Sequence, residues 1–136
     1  MVVDSRSVNE SFSRATVSAF AAQLDPTVEE INDIKTAVSE AVTNCIVHGY
    51  RNSVGKIYLS VKIHDDNKVI ISIRDRGCGI SDIKKAREPL FTTLGGDRAG
   101  LGFSVMESFT DKLSVRSKVG VGTTVTLCKK ICGRTK

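Results

Sequence analysis

The strongest constraint on the fold comes from residues 26 to 48. Ile31, Ile34, Ala37, Val38, Ala41, Val42 and Cys45 recur at helical spacing and predict one long amphipathic helix. Asp25-Pro26 offers a start signal, an acid at the N-cap with proline first in the helix. Gly49 suits a left-handed C-cap. A helix with so long an apolar stripe must bury it against a second layer. Glu40, Asn44 and His48 stand along the border of that stripe. At ~100° per residue they fall within roughly 80° of one another, at the edge of the core where a cleft would open. Taken singly, each is more simply a solvated or capping residue.

The rest of the chain supplies the second layer. Residues 1 to 4 read as a short strand, and residues 7 to 23 as a first helix on the period of Phe12, Ala15, Val17, Ala19, Phe20 and Leu24. After a polar turn from Arg51 to Gly55, Lys56 to His64 and Lys68 to Asp75 read as strands joined through Asp65-Asp66-Asn67. A short helical piece (81 to 86), a loop-like stretch (87 to 99) and a helix (100 to 111) follow. Residues 113 to 117 and 122 to 130 form a closing antiparallel pair around Val119-Gly120. Strands joined by hairpins, without regular βα alternation, predict an α+β two-layer sandwich. Helices should cover one face of a mixed, mostly antiparallel sheet. The 136 residues fit a single domain, with a basic tail from 132 to 136 expected to fray.

Composition narrows the function. No run approaches the ~18–20 apolar residues of a membrane span, and the opening residues lack the basic and apolar regions of a signal peptide. A cytoplasmic protein with no membrane partner is expected. The net charge of +5 comes from Lys and Arg scattered without interleaved aromatics, so no stacking platform for nucleic acid is visible. The charge fits a soluble surface, or a field that favours a polyanionic ligand such as ATP. Cys45, Cys78, Cys128 and Cys132 form no C-x-x-C pair, which argues against zinc or redox chemistry.

Three further motifs follow the helix. "RDRGCGI" sets Asp75, Gly77 and Gly79 at a strand end. A carboxylate there can accept from an exocyclic amine, and the glycines let backbone approach a flat ring. "GDRAGLGF" opens a helix with Gly100-Leu101-Gly102, whose free N–H groups and dipole make a phosphate site. "GVGTTV" puts Thr123 at the start of a strand, where a threonine is also an ordinary β-former. Each motif alone is a weak signal.

Their order is more telling. An E-x-x-x-N helix, then D-x-G-x-G, then G-x-G after a loop, then G-T on a strand, resembles the GHKL ATPase/kinase superfamily, which includes gyrase B, MutL and histidine-kinase catalytic domains. No Walker P-loop is present. "NESFSRATVSAFAAQLDPT", "VSEAVTNCIVHGY", "REPLFTT" and "GLGFSVMESFTDKLSV" further resemble the anti-sigma-F factor family of spore-forming bacteria, serine kinases related to the anti-sigma-B kinase. This likeness covers roughly residues 5 to 128.

The resemblance implies a Bergerat-type sandwich that binds ATP with Mg²⁺. Glu40 matches the general base and Asn44 the Mg²⁺ ligand, while His48 either meets the phosphates or caps the helix end. Asp75 matches the residue that reads the adenine amino group, with Gly77 and Gly79 beside it and Thr123 in support. Residues 87 to 99 correspond to the ATP lid, in which Thr92, Thr93 and Arg98 are candidate nucleotide contacts. Gly100, Leu101 and Gly102 would serve the phosphates. The implied partners are an RNA polymerase sigma factor, held inactive, and an anti-anti-sigma protein phosphorylated on serine. The family acts as a homodimer, and Arg14 matches a partner-contact position.

This chain departs from the pattern in a shorter start, a shorter lid carrying Gly95-Gly96, and Ala99 where serine is common. Rival readings share parts of the chemistry. A stress-response anti-sigma kinase differs only in its partner. A sigma-binding module using ATP structurally would not need Glu40. A stand-alone histidine-kinase domain would need a phosphoacceptor histidine, and only His48 and His64 are present.

Overall fold

The computed structural model describes residues 1–51, 53–88 and 99–133. Its strands are β1 (Val2–Asp4), β2 (Lys56–Ile63), β3 (Lys68–Asp75), β4 (Lys112–Lys118) and β5 (Gly122–Lys130). Its α-helices are α1 (Val8–Ala21), α2 (Val28–Asn44), α3 (Ile83–Ala86) and α4 (Ala99–Ser108). The strands form one sheet in the order β1-β2-β3-β5-β4. Every pairing among the described residues is antiparallel, where the sequence predicts a mixed, mostly antiparallel sheet.

Register divides the inward face of this sheet into rows. Leu59, Ile73, Val125 and Val115 lie opposite one another across four strands, and Val61, Ile71, Leu127 and Leu113 form the next row. Most of these side chains are buried, and each aliphatic side chain fully removed from water contributes ~1.5–3 kcal/mol. Ile34, Ala37, Val38, Ala41 and Val42 of α2 are buried with them in one core. The alternate strand positions carry Lys62, Lys68, Arg74, Lys112, Arg116 and Lys130 on the opposite side. Positive charge scattered in the sequence is thereby gathered on the helix-free face.

Three local expectations fail for identifiable reasons. Asp25 does not cap α2: it is left-handed (φ 51°) at the end of a 3₁₀ turn, Ala22–Leu24. Thr27 caps instead, in a reciprocal box with Glu30, leaving Pro26 outside the helix. Gly49 is not left-handed either. The chain leaves α2 through a π-turn, Cys45–Gly49, closed by Tyr50 N–H donating to Cys45 O at 2.9 Å, and Arg51 takes the positive φ. On α1 the buried face is Ser13, Val17, Ser18 and Ala21, while Phe12 (54% exposed) and Phe20 (38%) point outward. Small residues on the inner face let α1 lie close to α2.

Glu30 also holds the C-terminus. Cys132 and Gly133 belong to the tail that the sequence predicts to fray, yet their N–H groups donate to the Glu30 carboxylate at 2.7 and 3.2 Å. Burial pushes this carboxyl up, but hydrogen bonds from Thr27, Cys132 and Gly133 outweigh it and hold the pKa below the ordinary 4.5. A depressed carboxylate contributes stability above its unfolded value and loses it as pH falls through the folded one. Urea denaturation should therefore show stability declining below about pH 4.5. In Glu30→Gln this acid-side decline should be shallower, and stability at pH 7 lower by ~1–2 kcal/mol. An unchanged acid limb in the variant would contradict this account.

Candidate active site

In the next inward row Ile57 of β2 is apolar, but the other three strands carry polar residues. Asp75 pairs with Thr123, and Thr123 with Ser117, on adjacent strands β3, β5 and β4. These side chains stand at the lip of the core, beneath the π-turn that ends α2. Here a cavity of about 520 Å³ opens, a size suited to a small-molecule ligand. Asn44, His48, Asp75, Gly79 and Thr123 all line it, as the motif order implies.

Asp75 is 4% exposed. Its carboxylate accepts from Gly77 N–H at 2.9 Å, and the Thr123 N–H and Cys45 thiol lie close enough to favour its charge. Burial outweighs these contacts and raises its pKa above the ordinary 3.8. The same burial, followed by the Asp75 charge, pushes the Cys45 thiol well above its usual range.

The glycines are fixed by packing around this carboxylate. A Cβ on Gly49 would lie 2.8 Å from Asp75 Oδ2, and one on Gly77 only 2.1 Å from Gly49 O. Gly79 has φ +78°, and its Cβ would meet Lys118 O at 2.2 Å. Gly77 thus serves contact with the π-turn and does not line the cavity, whereas Gly79 lines the cavity and packs against Lys118 and Val119. Further bonds seal this corner. Cys78 N–H donates to Gly49 O at 2.9 Å, and Arg76 N–H to Tyr50 Oη at 2.7 Å.

Glu40 and Asn44 meet the first turn of α4. A methyl built on Gly102 would stand 3.1 Å from Asn44 Oδ1 and 3.4 Å from Glu40 Oε2. Asn44 lines the cavity, while Glu40 is not among its lining residues. The Asn44 amide nitrogen is buried without a hydrogen-bond partner, an unused donor beside the cavity. Gly100, Leu101 and Gly102 all fall in the first turn of α4, where backbone N–H groups have no partner within the helix. Among the described residues no cluster of three His, Cys, Asp or Glu side chains is placed to hold a metal. Thr92, Thr93 and Arg98 lie outside the described residues. Arg14 donates to Ser39 Oγ at 2.9 Å and pairs with Glu10 at 3.4 Å, tying α1 to α2.

Sequence reasoning missed several lining residues. Arg51 and Lys85 bring positive charge to the cavity, and Phe103 of α4 supplies an apolar wall. Ser117 does not line the cavity but bonds to Thr123, which does. A serine in an ordinary alternating strand carries no signal of that role. Gly49 did carry one, in its place directly after the E-x-x-x-N-x-x-x-H helix.

Because Gly49 has no room for a side chain, Gly49→Ala should cost ~2 kcal/mol or more in chemical denaturation. It should also weaken any ligand that depends on Asp75. Wild-type stability in that variant would contradict the packing described.

Residues 4–129 match the family described as histidine kinase-like ATPase domain. An anti-sigma F factor of Thermoanaerobacter sp. (strain X514) is 59% identical over 128 residues, covering 93% of this chain and 89% of its own. The anti-sigma F factor of Bacillus subtilis (strain 168) is 53% identical over 127 residues, covering 92% and 86%. Among solved structures, the histidine kinase domain of the Erythrobacter litoralis EL346 blue-light activated histidine kinase superposes with TM-score 0.61. That likeness is at 19% identity, over 87% of this chain and 59% of that one, and speaks for the fold alone. The chain therefore belongs to the histidine kinase-like ATPase domain family, and within it to the anti-sigma F factors.

Proposed function

We propose that the cavity binds ATP with Mg²⁺ and that the protein is an anti-sigma serine kinase. In this reading it holds a sporulation sigma factor of RNA polymerase inactive and phosphorylates a serine on the anti-anti-sigma antagonist. It acts as a cytoplasmic homodimer of single-domain chains. The observation that carries the reading is the convergence of three separate motifs on one site. Asp75 and Thr123 lie at one end of the cavity, and Asn44 borders it where Glu40 and Gly102 meet.

Each end has its own chemistry. The Asp75 carboxylate, already bonded to Gly77 N–H, has acceptor capacity left for the adenine amine. The first-turn N–H groups of Gly100, Leu101 and Gly102 suit phosphate oxygens, and Arg51 and Lys85 add positive charge. Asn44 would be the protein's ligand to Mg²⁺ through its amide oxygen, the acceptor end of the side chain. Bound there, Mg²⁺ would neutralise charge on the phosphates during transfer. Glu40, next to Asn44 but off the adenine end, is placed to take the proton of an incoming serine hydroxyl. His48 lines the cavity and serves nucleotide binding in this reading. A sigma-binding module with structural ATP would leave Glu40 without a task.

Incubation with Mg·ATP and an anti-anti-sigma protein should yield acid-stable phosphoserine. Glu40→Gln should lower that rate at least ~10²-fold while ATP still binds. Equal phosphorylation by the variant removes Glu40 as base, and acid-labile phosphohistidine would favour histidine-kinase chemistry instead.

Arg14 is a partner contact in this reading as well as a tie between helices. Arg14→Ala should weaken sigma capture in a pull-down by roughly tenfold or more, with ATP affinity retained. Unchanged capture would leave it only the structural role.

A further inference from the structure

We infer that Ser117 is a specificity-positioning residue: it commits the Thr123 hydroxyl proton and makes Thr123 an acceptor only, so that the cavity selects a 6-amino purine over a 6-oxo purine. The inference rests on the nucleotide-binding reading above and adds a residue that never touches the ligand.

The hydrogen-bond directions follow from counting. The Ser117 hydroxyl has one proton and two lone pairs. Ile80 N–H donates to Ser117 Oγ at 2.7 Å, which uses one lone pair. The contact to Gly122 O at 3.0 Å is with a carbonyl, which can only accept, so the Ser117 proton goes there. The remaining contact, 2.8 Å to Thr123 Oγ1, must then be Thr123 donating into the second lone pair of Ser117. The reverse direction would set two acceptors, Ser117 Oγ and Gly122 O, against each other at 3.0 Å.

Every valence of Ser117 is thereby used, and the Thr123 proton faces β4. Thr123 lines the cavity, and with its proton committed its hydroxyl can offer a ligand only lone pairs. Asp75, opposite Thr123 in register, presents a carboxylate from the neighbouring strand. Two acceptors side by side match an exocyclic amine and repel an exocyclic carbonyl. Ser117 also fastens the turn after Gly79 to the β4–β5 hairpin, so the polarity of Thr123 and the shape of this end are set by one side chain.

The test compares dissociation constants of Mg·ATP and Mg·ITP, which carry 6-amino and 6-oxo purines on the same triphosphate. Wild type should prefer ATP. In Ser117→Ala the Thr123 proton is free to turn to a 6-oxygen, and the ATP-to-ITP preference should fall roughly tenfold, chiefly through tighter ITP binding. Ser117→Thr, which keeps the hydroxyl, should retain the preference. Thr123→Val removes the acceptor itself, and adding Ser117→Ala to it should change the preference no further. Equal weakening of both nucleotides by Ser117→Ala, with the ratio unchanged, reduces Ser117 to a structural latch and overturns the inference alone. Binding of neither nucleotide by wild type would overturn the nucleotide reading as well.

Discussion

A carboxylate that is almost out of water sits where the π-turn, the end of β3 and the start of β5 converge. Burying such a group is costly unless hydrogen bonds replace its hydration. At Asp75 one comes from Gly77 N–H, and the Thr123 N–H and Cys45 thiol nearby also favour the charge. Bringing three backbone segments this close leaves no room for side chains. Cβ atoms on Gly49, Gly77 and Gly122 would lie within 2.8 Å of Asp75 or of one another's backbone. The glycine pattern is the steric shadow of one buried acid. The same convergence sets the cavity's floor and turns α2 out of its regular path, which places His48 on the wall.

The sequence was most legible where period and punctuation agree. The strands β2, β3 and β5, the Asp65–Asn67 hairpin and the long helix α2 all follow from alternation, turn residues and apolar spacing. Helix ends were less so. Asp25-Pro26 and Thr27-x-x-Glu30 offer two overlapping start signals, and the reciprocal box satisfies more backbone donors than a lone acid. On α1, Phe12 and Phe20 suggest the buried face to any hydrophobic count. The close approach of two helices favours Ser13 and Ala21 instead. A count of apolar residues does not see that geometry.

The site was legible by motif and illegible by contact. Asp75 and Thr123 are 48 positions apart, and only the β3–β5 register makes them neighbours on one face. Ser117 is harder still, because its meaning depends on a second register, β4 against β5. Charge has the same character. Along the chain the cations alternate with apolar residues and read as ordinary solvated strand positions. Pairing strands in register stacks those alternations into one basic face, away from the cavity.

The inward face of the sheet thus has two regimes, apolar rows that hold the fold and a mostly polar row that faces the cavity. The polar row works against stability. The raised pKa of Asp75 means that folding penalises its ionised form relative to the unfolded chain. A group raised in the fold contributes stability below its unfolded value, near 3.8, and loses it as pH rises through the folded value. Near neutral pH the ligand-free protein carries that cost. In the nucleotide reading proposed above, an amine donating to the carboxylate would favour the ionised form and draw the pKa back down, offsetting part of the cost that burial creates.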